Sequence, residues 1–268
     1  VCLSAGLSIG LAGRTRQDIS PNQLTAKQAI AKLELDRDPL WVNAKKEVYK
    51  SVPEIQSQHD TESRRGLHFS KIMRGPTSPK SIMLTFDDGP HPGYSDKLVQ
   101  ILGRYKVRAT FFVVGSQAEK YPDLVKQEFE AGHVVGNHTY HHVSLTKIPL
   151  SYAAEEIGAC SDILKRITGK SSHFFRPPGG DYNQEIAEVA NSLGYTLVLW
   201  TDDPGDYLNL PINELMNRTL DNITPGGIIL LHDGDDDAIR ILPSLIEGLR
   251  AKGYRFVTPD EVVPIQSR

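Results

Sequence analysis

The sequence predicts an α/β fold with parallel strand pairing, on three observations. From Ser81 onward, short apolar runs alternate with stretches of helical periodicity. Several of those stretches end on glycine, at Gly132, Gly169, Gly194 and Gly253, where the left-handed cap of a helix favours a residue without Cβ. The polar residues suited to chemistry sit mostly where apolar runs stop, which is where α/β barrels carry their active sites. Candidate strands fall at 82–86, 109–114, 133–136, 173–176, 195–200, 227–231 and 254–257. Candidate helices fall at 94–105, 118–131, 151–168, 183–193, 212–222 and 238–251. Strict alternation requires crossover connections and therefore parallel pairing. About seven such strands approach the count of a closed barrel, or of a distorted one.

At 268 residues the chain is long enough for one full core plus an extension. A boundary near 79/80 is expected, where Pro76, Ser78 and Pro79 punctuate the sequence. It separates a mostly helical N-terminal extension, 1–79, from the main domain, 80–268. Within the extension, 1–13 is small and apolar but too short to span a bilayer as a helix. It resembles the apolar part of a secretory signal or the end of an anchor, without the basic start; a disordered tail is the other reading. A short amphipathic helix is expected from Thr25, a second over 41–49, and a polar loop over 51–65. The net charge of −3 gives no basic footprint for nucleic acid or an anionic membrane surface. Cys2 and Cys160 are too few for a disulfide framework or a cysteine-built zinc site.

The chain is organised around Thr85-Phe86-Asp87-Asp88-Gly89-Pro90, which closes the first apolar run. Gly-Pro stops the strand, and the turn can bring both carboxylates to one rim. Two acids that close disfavour double ionisation unless a cation lies nearby, and a metal bound by one would leave the other free as a base. A second constellation is Asn137-His138-Thr139-Tyr140-His141-His142. If it coils, His138 and His142 share one helical face, a spacing that suits two imidazoles on one divalent ion; His141 fits either place on spacing alone. One aspartate from the first strand end would complete a facial set of two histidines and a carboxylate.

Three further strand ends add to the pattern. Arg176 closes Phe174-Phe175 and is followed by Pro177-Pro178-Gly179-Gly180, a rigid turn whose Gly179 amide would suit an oxyanion. Asp202, Asp203, Asp206 and Tyr207 follow the fifth run. His232 ends the sixth, either as a satisfied core histidine or as a general acid tuned by a nearby carboxylate. The run Asp235-Asp236-Asp237 lacks the ligand alternation of a calcium loop and reads as the cap of the last long helix. Each piece alone has an ordinary structural reading. Their coincidence at five strand ends of one alternating chain is what argues for a site.

With these motifs in view, the sequence resembles the polysaccharide deacetylase family, the NodB-homology domain of carbohydrate esterase family 4. The resemblance covers about residues 80–263. It rests on 85–90, on Ala109-Thr110-Phe111-Phe112-Val113-Val114-Gly115, on 132–139 with His142, on Arg176-Pro177-Pro178, on 203–206 and on 227–233. It implies a distorted (β/α) barrel and metal-dependent removal of acetyl groups from N-acetylglucosamine polymers such as peptidoglycan, chitin-like chains or poly-N-acetylglucosamine. By matching position it implies Asp88, His138 and His142 as metal ligands, Asp87 as general base, Arg176 as the group tuning that base, His232 as general acid with Asp206 orienting it, and Leu230 as a wall of the acetyl pocket. The implied metal is zinc, with cobalt, nickel or manganese as the other candidates. Two positions depart from the family: Gly179 stands where an aromatic is usual, and Tyr207 where tryptophan is frequent. Both bear on how a sugar is held. The expectation is thus a monomeric hydrolase of an N-acetylated glycan, acting outside the cell or in its envelope, with no nucleic-acid partner and no evident transmembrane span. An O-acetyl xylan esterase or a small-molecule amidohydrolase on the same site is the nearest alternative, and a non-catalytic glycan-binding protein the alternative of another class.

Overall fold

Eight short strands form one sheet: β1 (Lys71–Ile72), β2 (Ser81–Asp87), β3 (Thr110–Val113), β4 (Val134–Asn137), β5 (Phe174–Phe175), β6 (Thr196–Val198), β7 (Gly227–His232) and β8 (Arg255–Phe256). This computed structural model describes residues 39–46 and 48–263. The apolar stretch 1–13 with Cys2, and the helix expected from Thr25, lie outside the described residues. The described chain from Pro39 onward belongs to one compact unit.

The strand order is β1-β6-β5-β4-β3-β2-β7, with β8 also paired to β2. Every pairing is parallel. The segment leaving β6 then crosses onto β7: Thr201 N donates to Ile228 O at 3.0 Å, and Leu230 N to Asp202 O at 2.9 Å. That contact draws the two ends of the sheet together into a distorted (β/α) barrel. The strands expected from the sequence correspond to β2 through β8. The two-residue β1 is too short to leave a periodic signal, and it lies ahead of the boundary drawn at 79/80.

The connecting helices are α1 (Pro39–Ala44), α2 (Val52–Arg64), α3 (Ser95–Tyr105), α4 (Gly115–Lys120), α5 (Pro122–Glu130), α6 (Leu150–Thr168), α7 (Gln184–Ser192), α8 (Ile212–Asn222), α9 (Asp236–Ala251) and α10 (Pro259–Val262). Strand β2 is buried at every position. Its alternate residues Ile82, Leu84 and Phe86 join the apolar core with Leu98 and Leu102 of α3 and Leu242, Leu245 and Leu249 of α9. The other parity, Thr85 and Asp87, meets the Arg176 guanidinium inside the barrel. Asp235 caps α9 as expected, its side chain accepting from Asp237 N. Cys160 on α6 is a free, fully buried thiol that burial pushes up to about 12. No helix among the described residues is long and apolar enough to cross a membrane.

Three sequence expectations are corrected. The single helix at 118–131 is two, α4 and α5, because Pro122 cannot continue an α-helical ladder. The helix expected over 41–49 ends at Ala44. The stretch 51–65, expected to be loop, contains the thirteen-residue helix α2. Its polarity hid it, since only Ile55 and Glu62 are buried. The local start signals were present nonetheless: a Ser51/Glu54 capping box and Pro53 in the first turn.

Ile55, 1% exposed, packs toward Gly180, where an added Cβ would lie 3.3 Å from Ile55 Cδ1 and 2.7 Å from the Trp200 ring. Helix α2 thereby backs the turn that follows β5. Ile55→Ala is expected to cost about 2–5 kcal/mol, read from denaturant unfolding, whereas a loop residue would cost almost nothing.

Candidate metal centre and active site

The site is assembled where β2, β4, β5 and β7 end. Strand β2 delivers Asp87 and is followed by Asp88 in a left-handed conformation, φ 74°. That turn sends the two carboxylates to different partners. Asp87 Oδ1 accepts from Arg176 Nη1 at 2.8 Å. Asp88 Oδ1 lies 3.0 Å from His142 Nε2 and 3.4 Å from His138 Nε2.

The two imidazoles do not come from a helical turn. After β4 the chain passes through Thr139 at φ 65° and His142 at φ 55°. Asn137 Oδ1 accepts from Thr139 N at 2.9 Å, and Thr139 Oγ1 accepts from His142 N at 3.1 Å. This tight loop, rather than the coil assumed from spacing, brings the ring centres of His138 and His142 to 5.0 Å. His141 is turned elsewhere: its backbone N and its Nδ1 both bond the Glu156 carboxylate, and Trp41 packs edge-on against it at 5.2 Å.

Asp88, His138 and His142 each offer one donor atom, and the three atoms lie within 4.8 Å of one another. Asp88 Oδ1 is buried without a hydrogen-bond partner. Burial would raise the Asp88 carboxyl, but the two imidazoles hold it well below the usual carboxylate range. His138 Nδ1 lies 2.7 Å from the Arg176 carbonyl oxygen. A carbonyl only accepts, so Nδ1 carries the proton and the Nε2 lone pair is left for a cation on the Asp88 side. An ionised carboxylate and two imidazoles, one with its tautomer already set, fit a divalent cation.

The other two pairs flank this cluster. Arg176 is fully buried; Nε donates to Val198 O at 3.0 Å and Nη1 to Thr85 Oγ1 at 2.8 Å. It fixes one Asp87 oxygen and leaves Oδ2 facing His138 Nε2 at 3.7 Å. In the β2–β7 register Asp87 pairs with His232, so the two side chains emerge next to each other. Asp206 holds His232 twice, accepting from its backbone N at 2.7 Å and from Nδ1 at 2.9 Å. Burial pushes this imidazole down. The Asp206 bond and charge, with Asp88 and Asp87, outweigh burial and raise it to about 9.

The remaining expected residues line the edges. Leu230, two positions before His232, is buried. Tyr207 donates to Asp203 Oδ2 at 3.0 Å and sets its ring edge-on to His232 at 5.2 Å. Gly179, at φ 59°, shares a small cleft with His142. Gly180 N and Asp181 N return to the carbonyls of Pro177 and Pro178. Two neighbours were not foreseen. Thr85 supports Arg176, and strand parity was its available signal. Tyr49, from the polar N-terminal segment, stacks on Tyr207, and nothing in its local sequence announces that.

A parallel α/β barrel with such a rim belongs to a recognisable class, and the comparisons identify it. The polysaccharide deacetylase profile matches residues 74–198. A peptidoglycan-N-acetylglucosamine deacetylase of Bacillus cereus is 36% identical over 193 residues, covering 70% of this chain and 90% of that protein. The crystal structure of the Bc1960 peptidoglycan N-acetylglucosamine deacetylase superposes with a TM-score of 0.72 at 32% identity, over 77% of this chain and 96% of that one. BA3943, a CE4 family pseudoenzyme from Bacillus anthracis, superposes with a TM-score of 0.70 at 25% identity, over 74% and 70%. This chain belongs to the polysaccharide deacetylase family.

The His232–Asp206 pair carries a pH signature of its own. Because the folded value, about 9, lies above the ordinary imidazole value of 6.5, its stabilisation is fully present below about 6.5 and is lost as pH rises through about 9. Asp206→Asn is expected to return His232 to a clearly lower pKa, measured by NMR titration of the ring in metal-free protein. An unchanged titration would contradict the pairing.

Proposed function

We propose that this chain hydrolyses acetyl groups from N-acetylglucosamine-containing glycans of the cell envelope, peptidoglycan foremost, acting as a monomer in the envelope or outside the cell. The observation that carries this reading is the Asp88–His138–His142 cluster with Asp87, fixed by Arg176, and His232, fixed by Asp206, on adjacent strands beside it. The B. cereus relative supports the choice of glycan. The pseudoenzyme among the structural relatives means that fold alone does not carry activity, so the weight rests on the constellation.

Asp88, His138 and His142 would hold the cation, zinc first and cobalt, nickel or manganese otherwise. Such an ion, when bound, polarises an amide oxygen and lowers the pKa of water from about 15.7 towards about 7. Asp87 accepts the proton of the attacking water through Oδ2, while Arg176 keeps the carboxylate in place. Gly179 N–H donates to the oxygen on which negative charge develops. His232, raised to about 9 in the metal-free site, against burial and chiefly by Asp206, gives its proton to the departing amine. Asp206 holds the ring so that Nε2 points into the site. Leu230 walls the methyl of the acetyl group.

Acetate release from N-acetylglucosamine oligomers is expected to disappear on chelation and to return with added zinc or cobalt. Asp88→Ala and His138→Ala are expected to lose tightly held metal, read by mass spectrometry of the purified proteins. Asp87→Asn is expected to keep metal and lose turnover by about a hundredfold or more. A metal-replete Asp88→Ala protein would remove the ligand assignment, and an active chelated enzyme would remove the metal dependence.

A further inference from the structure

We infer that Tyr49, carried by the segment ahead of β1, forms the sugar-facing wall of the site beside His232 and confers preference for a glycan chain over small acetyl compounds. The inference rests on the deacetylase reading above. It begins with how the segment is held. Trp41 of α1 is buried and packs edge-on against His141. Ala44 O accepts from Ser144 N at 2.8 Å, and Lys147 Nζ donates to Lys46 O at 3.3 Å. On the other flank Lys50 N donates to Gly179 O at 2.9 Å, and Lys50 Nζ lies 3.4 Å from Asp181 Oδ1. The segment therefore runs from the loop that bears His138 and His142 to the turn that bears Gly179.

Between those anchors the fit is close. A Cβ added to Gly179 would lie 1.6 Å from Val48 O, so glycine at 179 is what lets the segment cross. The cleft left among Val48, Tyr49, His142, Pro178 and Gly179 is about 10 Å³, room for about one water. Contacts of that kind describe a fixed wall rather than a removable flap.

The ring of Tyr49 lies parallel to Tyr207 (14°, 5.3 Å between centres) and edge-on to His232 (79°, 6.2 Å). Tyr207 is itself edge-on to His232 at 5.2 Å. His232 thus stands beside a stacked tyrosine pair, and Tyr49 covers a face that Tyr207 would otherwise offer. Both tyrosines are half-buried, so part of each reaches the lip of the site. The group that protonates a departing 2-amine must lie next to the sugar ring that keeps the amine. The stacked rings beside His232 are therefore in place to meet that sugar, whose C–H faces pack on aromatic surface.

The test compares the wild type with Tyr49→Ala and Tyr49→Phe on chitooligosaccharides and on 4-nitrophenyl acetate, with circular dichroism and melting temperature as folding controls. Tyr49→Ala is expected to lose about tenfold in kcat/KM on the oligosaccharide, mostly through KM, with about a twofold change or less on the small ester; Tyr49→Phe is expected to restore the oligosaccharide value. Unchanged oligosaccharide kinetics, or equal losses on both substrates, overturn the assignment. Faster oligosaccharide turnover in Tyr49→Ala also overturns it, identifying the segment as a plug. A wild type silent on both substrates instead removes the deacetylase reading, an outcome distinct from an active enzyme indifferent to residue 49.

Discussion

The buried Arg176–Asp87 pair is the constraint on which the rest of the rim depends. A guanidinium with no exposure costs several kcal/mol to desolvate unless it is paired and hydrogen-bonded. Here Asp87 supplies the charge, Thr85 and the Val198 carbonyl supply acceptors, and Phe112 lies 4.3 Å from the guanidinium carbon. One side chain just past β5 is thereby tied to the ends of β2 and β6. The same residue's backbone reaches β4: its N donates to Asn137 O at 3.0 Å, and its carbonyl oxygen accepts from His138 Nδ1. The candidate base and a candidate ligand are therefore positioned by one residue. Arg176 Nη2 has no hydrogen-bond partner among the described residues.

Strand parity explains how these groups meet from distant parts of the sequence. Parallel neighbours carry paired residues on a common face, so the Asp87–His232 register sets both side chains at one rim. That arrangement was legible, because apolar runs ending in Asp, His and Arg mark strand ends directly. The geometry past those ends was not. Asp88, Thr139 and His142 occupy left-handed backbone, a conformation set by surrounding contacts that residue preference announces only weakly. Helical spacing paired His138 with His142, and the structure brings them together by a tight loop instead.

The N-terminal segment was hidden by a different cause. Helix α2 buries two residues of thirteen, too few to create periodicity, and β1 is two residues long. Composition therefore favoured a boundary at the prolines before residue 80. The tertiary structure supplies what local pattern lacked: β1 pairs with β6, α2 sets Ile55 against the Gly180 turn, and Lys50 bonds Gly179. Gly179 was legible as a departure, an absent aromatic. What that departure accommodates, the Val48 carbonyl, lies 131 positions earlier in the chain.

The electrostatics of the rim are also coupled. Asp206 supplies the larger favourable contributions to the raised value of His232, and Asp88 and Asp87 supply the rest. Asp206 approaches Nδ1, away from Nε2. The contributions of Asp88 and Asp87 come from the cluster side, and they alone are sensitive to what that cluster holds. A divalent cation on Asp88 would offset their share and so lower the imidazole, while Asp206 keeps its tautomer and direction. A general acid works best with a pKa near the working pH, where it is still protonated yet gives its proton readily. The same two carboxylates that favour a cation at the rim would thus also link the acidity of His232 to that cation.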